Sequence, residues 1–287
     1  MRILFCTDGS KISFNALKNF SRWVKNVIVD TICIIDWSFL PEDVNVEADG
    51  FAASCANIAD NILNYAEDII LQTGFINGEK IKHCGGAAET IIEQIHNQKY
   101  DFVVVGSHGK KGLQKWLGSV SSSVTDNNPV SSFISKHPNK GEKLLITLDD
   151  LKETAKVFEK YLPLLDLTDK EIYLCIVNED PNFLFLEGNI DTNMLIQIQK
   201  NQEEYAQKIL KRLKEFLQNG GLNVIETEIL TGIPATEILN YSKTHDIDLI
   251  ITGSKNKTKT VSFFTGSVSR KVLENTSSDV MILKNNI

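Results

Sequence analysis

The group Gly106-Ser107-His108-Gly109, followed after eight residues by Gly118-Ser119-Val120, has the composition of a phosphate cradle. Glycine lets the backbone approach an anion, N–H groups at a helix start donate to it, and the helix dipole favours negative charge there. The apolar run Val103-Val104-Val105 ahead of the group reads as a buried strand opening into a turn, with the Gly-Ser pair where a helix starts. A related group recurs as Thr252-Gly253-Ser254-Lys255-Asn256 with Gly266-Ser267-Val268. A second chemical element, Thr7-Asp8-Gly9-Ser10, closes the first apolar run of the chain, and Asp149-Asp150-Leu151 closes its counterpart. Lys110, Lys111 and Lys115 in the first loop, and Lys255, Lys257 and Lys259 in the second, add positive charge.

These groups recur because the chain is a duplication. Gly85 pairs with Gly232 and Gly106 with Gly253 at one offset, Gly118 pairs with Gly266 one residue further on, and Arg2–Asp8 aligns with Lys143–Asp149. A repeat this long means two similar domains in tandem, because solenoid units are several-fold shorter. The polar stretch Lys136-His137-Pro138-Asn139-Lys140-Gly141 divides them, giving domains of 1–139 and 140–287.

Each half alternates strands and helices. In the first, strands are expected at Ile3–Thr7, Val29–Ile35, Ile81–Cys84 and Val103–Val105, with helices from Ser10, about Phe51 to Leu71, and Ala88–Asn97. The second repeats them at Leu144–Leu148, Ile172–Val177, Val224–Leu230 and Leu249–Thr252, with helices from about Leu151, about Met194 to Leu217, and from Pro234. The pattern predicts an α/β fold: two tandem doubly wound domains, each a mostly parallel five-stranded sheet with helices on both faces.

Composition narrows the function. A net charge of −7 argues against a sequence-independent grip on nucleic acid, which needs a basic surface. No apolar run is long enough to span a bilayer, and Met1-Arg2-Ile3-Leu4-Phe5 enters a strand directly, so a cytoplasmic location is expected. Five cysteines without a C-x-x-C pair fit a reducing compartment, and Cys6, Cys33 and Cys175 read as buried hydrophobes.

On these motifs the chain resembles the universal stress protein family, which carries an Asp at the end of strand one and a late G-x-x-G, nine residues, G-[ST] pattern, and includes tandem members. The resemblance implies that an adenine nucleotide, ATP or AMP with or without Mg²⁺, is held by Asp8, Gly9, Ser10, Ile34, Gly106, Ser107, Gly109, Gly118, Ser119 and Val120. The second-domain counterparts are Asp149, Gly253, Asn256, Gly266, Ser267 and Val268. This chain departs from the pattern in two places. The first loop has eight spacer residues instead of nine, and in the second domain Asn256 and Asp150-Leu151 replace the second glycine and the Gly-Ser. Asn keeps access to left-handed geometry but adds a side chain, and a second carboxylate repels phosphate, so domain two is expected to be degenerate. Family members dimerise through the last strand. Val280-Met281-Ile282-Leu283 and Val130–Ile134 are therefore expected to pair inside one chain as a pseudo-dimer, leaving a homodimer of tandem chains open.

Plainer roles compete with these. Gly106 and Gly253 could end strands, Asp8 could cap a helix, His108 could be exposed loop, and Ser119, Ser121, Ser122 and Ser123 could cap. Adjacent Asp149 and Asp150 point apart in an extended strand end, and no metal site is expected. Neither half holds a G-x-x-x-x-G-K-[ST] loop or a dedicated base, so a nucleotide-binding regulator with little or no catalysis is favoured. The alternatives are a slow ATP-hydrolysing or adenylating enzyme, and a scaffold that binds no nucleotide.

Overall fold

The computed structural model describes residues 1–36, 51–107, 117–148, 158, 160–180, 192–253 and 266–284. The first half runs β1 (Arg2–Thr7), α1 (Lys11–Phe20), β2 (Ile28–Ile35), α2 (Phe51–Gln72), β3 (Ile76–Cys84), α3 (Ala87–Asn97), β4 (Phe102–Gly106), α4 (Ser119–Asn127) and β5 (Ser131–Ser135). The second runs β6 (Lys143–Leu148), β7 (Glu171–Asn178), α5 (Thr192–Asn219), β8 (Val224–Thr231), α6 (Pro234–Thr244), β9 (Leu249–Gly253), α7 (Ser267–Asn275) and β10 (Asp279–Leu283), with a 3-10 turn at Leu162–Leu164. The helix expected from about Leu151 begins outside the described residues.

Among the described residues the strands form one sheet in the order β3-β2-β1-β4-β5-β10-β9-β6-β7-β8. Pairing is parallel within each half, and β5 meets β10 antiparallel, with Val280 opposite Ile134 and Ile282 opposite Ser132. The two five-stranded sheets thus join as the expected pseudo-dimer. β3 is longer than its expected Ile81–Cys84, because pairing with β2 starts at Ile76. An edge strand has one ladder neighbour and a solvated side, so Glu79 and Lys80 interrupt the apolar signal without ending the strand.

Strand alternation divides the core. Ile3 and Phe5 pack with residues of α1 and α2, whereas Leu4, Cys6, Ile32 and Ile34 pack with residues of α3 and α4. The first of these cores continues into the second half. Phe102 and Tyr161 rings meet edge to face at 5.2 Å, and the Asp166 N–H donates to the Trp23 carbonyl at 2.7 Å. Each such large buried side chain contributes roughly 1.5–3 kcal/mol, so the halves are stabilised jointly.

The stretch between the halves belongs to this joint. Asp279, fully buried, accepts the Lys136 backbone N–H at 2.7 Å, Asn19 Nδ2 at 3.0 Å and Asn139 Nδ2 at 2.7 Å. Burial outweighs these donors and pushes its carboxyl up to about 7. The folded chain then holds this proton to higher pH than the unfolded one, whose Asp titrates near its usual ~3.9. The Asp279 contribution to stability is therefore expected to fall as pH rises from about 4 to about 7 and to level off above. Asp279→Asn should flatten that segment of a plot of urea midpoint against pH. An identical slope in the variant would refute the assignment.

Candidate functional site

In the order β3-β2-β1-β4-β5 the chain reverses direction across the sheet between β1 and β4, whose carboxyl ends open a crevice where ligands of such sheets bind. Register pairs Phe5 with Val104, so Asp8 and Ser107, each three residues further on, sit at the same level.

The turn after β1 is held by its own side chains. Ser10 N–H donates to Asp8 Oδ1 at 3.0 Å, Gly9 N–H to Thr7 Oγ1 at 3.1 Å, and Ser13 N–H to Ser10 Oγ at 3.2 Å. Ser10 rather than Asp8 is therefore the cap of α1, and Asp8 folds the turn ahead of it. Gly9 has φ +76°, a conformation side chains disfavour. Thr7 Oγ1 and Ser13 Oγ lie 2.8 Å apart beneath the turn.

Across the crevice, Ser107 is fully buried, and its N–H donates to the Ser135 carbonyl at 2.8 Å. Its carbonyl accepts the Gly118 N–H at 2.7 Å. The Gly118 N–H is thus spent on Ser107. Among the described residues, the donors left at the start of α4 are the N–H groups of Ser119, Val120 and Ser121, since the first bond inside the helix runs from Ser122 N–H to the Gly118 carbonyl. Gly118 itself has φ −63° and ψ 150°, angles open to any residue, and supplies no side-chain cap. Gly266 repeats this before α7 with φ −60° and ψ 151°. Glycine thus stands at both helix starts where Ser or Asp would cap better and where the backbone angles do not require it.

Gly106 is a glycine for another reason. A Cβ there would meet the Ile12 backbone carbon and oxygen at 3.2 Å, so it lets α1 lie on β4. Ile34 is buried, in the apolar group that Leu117 and Val120 also touch. Gly109 lies outside the described residues, as do Asp149 and Asn256 in the second half. Gly253 ends β9, Ser267 begins α7, and Val268 packs on the second half's core.

Ser121, a candidate cap by sequence, has another role, and Ser269 shares it. Ser121 Oγ donates to the Gly106 carbonyl at 2.6 Å, and Ser269 Oγ to the Gly253 carbonyl at 2.8 Å. Each fastens its helix to the strand that precedes the crevice. The signal was present, because Gly-Ser-Val-Ser occurs identically at 118–121 and 266–269.

The model of the Universal stress protein family matches residues 1–134 and again 141–284. A universal stress protein of Methanocaldococcus jannaschii is 26% identical over 155 residues, covering 54% of this chain and 89% of the relative. A Bacillus subtilis universal stress protein is 27% identical over 146 residues, covering 50% of this chain and 98% of the relative. The crystal structure of a universal stress protein from Archaeoglobus fulgidus superposes over 99% of this chain and 96% of its own with a TM-score of 0.65 at 19% identity, a likeness of fold. No helix among the described residues is long and apolar enough to cross a membrane. Matched twice in succession, with one Usp-type sheet in each half, the chain belongs to the universal stress protein family as a tandem member.

Proposed function

We propose that domain one, residues 1–139, binds an adenine nucleotide, ATP or AMP, and that the chain is a cytoplasmic stress-response regulator with little or no catalysis. The observation that carries the reading is the start of α4: first-turn donors behind a glycine that the backbone does not require, joined to Ser107 across the β1–β4 crevice from the Asp8 turn. Phosphates suit the N–H groups of Ser119, Val120 and Ser121. Asp8, Gly9, Ser10 and Ile34 border the side where the family places base and ribose, and Gly106, Ser107 and Gly109 complete the loop. Lys110, Lys111 and Lys115 suit the phosphate charge, and Mg²⁺ would accompany ATP there.

Domain two, residues 140–287, keeps the helix start at Gly266, Ser267 and Val268. Asp149 and Asp150 add like charge, however, worth ~4 kcal/mol per pair at about 4 Å and an effective dielectric of 20 before screening. Calorimetric titration of the full chain with ATP is expected to give one nucleotide per chain, and Asp8→Ala should weaken it. Two equivalent sites, or none, would refute this reading. Any hydrolysis should run well below the ~10 s⁻¹ of a median enzyme.

A further inference from the structure

The helix that carries the proposed cradle is held at its other end by the other half of the chain. Lys284, directly after β10, is buried, and its Nζ donates to the carbonyls of Thr125 at 2.8 Å and Asn128 at 2.7 Å. Those carbonyls end α4, where the last turn lacks partners within the helix and the dipole favours a cation. The Lys284 N–H donates to Ser131 Oγ at 3.0 Å, tying the same residue to β5. Asp126 of α4 faces the ammonium and is paired at 3.2 Å with Arg270 of α7.

The backbone part of this arrangement is built twice. Lys136 follows β5 as Lys284 follows β10, it is also buried, and its N–H donates to Asp279 as that of Lys284 donates to Ser131. Lys136 also lies near Glu274 in the last turn of α7, the helix that starts at Gly266-Ser267. Burying an ammonium is costly, and an apolar side chain of similar length would fill the space without that cost.

We propose that Lys284 is a positioning residue for the domain-one nucleotide site: domain two fixes α4 by its C-terminus so that the donors at Ser119–Ser121 stay aimed into the crevice. This rests on the nucleotide reading above. It makes the site of one half depend on the docking of the other.

The test uses the full chain and Lys284→Met, with amide hydrogen exchange of α4 measured without ligand and ATP affinity measured by calorimetry. Exchange in α4 should quicken about tenfold in the variant, and ATP should bind about tenfold more weakly. Burial lowers the Lys284 ammonium to about 8, below the ~10.4 of a solvated lysine, so the held amine sheds its proton before the released one; α4 protection and ATP affinity in the parent should rise between about pH 8 and 10, and the variant should lose this step. If Lys284→Met does not fold, the profile of Lys136→Met decides the matter: a rise above pH 8 that persists without the other lowered ammonium belongs to Lys284, and a flat profile overturns the proposal. Unchanged α4 exchange, or quicker exchange with unchanged ATP affinity, overturns the proposal. A parent that takes up no ATP refutes the nucleotide reading, and α4 exchange then decides alone whether Lys284 holds the helix.

Discussion

Ile282→Pro is expected to unfold the whole chain, not merely to separate its halves. Ile282 is fully buried in β10, opposite Ser132 of β5 and Thr252 of β9. The N–H of Lys284 points to β5, so strand alternation sends the N–H of Ile282 to β5 as well. Proline removes that donor, orphans a buried carbonyl for ~1–3 kcal/mol, and truncates a buried Ile for roughly 2 kcal/mol more. Against the 5–15 kcal/mol typical of a domain, a loss of about 3–5 kcal/mol, with the proline ring clashing in a strand paired on both sides, removes most or all of the stability of a core shared between halves. Thermal melting should show the variant unfolded at room temperature or melting far below the parent, whereas Ile282→Val should cost about 1 kcal/mol. A proline variant that melts with the parent would mean that β10 does not join the halves.

The joint was partly legible because Val280–Leu283 is too apolar for an exposed edge, and the resemblance named Val130–Ile134 as its cover. Asp279 and Lys284, which bracket that run, were not legible. Single-sequence rules put Asp and Lys in solvent, and both are buried only because distant groups meet them: Asn19 and Asn139 for Asp279, Thr125 and Asn128 for Lys284. The stretch at 136–141 read as a solvated spacer for the same reason, although Lys136 is buried and Asn139 bonds to Asp279. β3 was half legible, since its Ile76–Lys80 portion is fixed by pairing to β2 rather than by an apolar face. In the site, residue types located the crevice, but the partners of backbone N–H groups leave no trace in side-chain identity. The bond from the Gly118 N–H to the Ser107 carbonyl is one such partnership.

That bond makes the glycine at 118 a question of space, and two substitutions ask it with different signs for stability and binding. Its φ of −63° and ψ of 150° accept any residue, so neither Gly118→Ser nor Gly118→Val strains the backbone. Serine is the better cap, worth a few tenths of a kcal/mol over glycine, whereas valine is a poor one and should cost about 1 kcal/mol. If glycine served the helix alone, the serine variant would be as good as the parent in every respect. If it leaves room for phosphate beside the donors of Ser119 and Val120, both side chains intrude. Gly118→Ser should then melt at or slightly above the parent yet bind ATP about tenfold more weakly, and Gly118→Val should lose at least ~100-fold, or about 2.7 kcal/mol. Stability and binding would move in opposite directions in the serine variant, which no general loosening of the fold can produce. Parent-like ATP affinity in Gly118→Val would remove α4 from the site and with it the cradle.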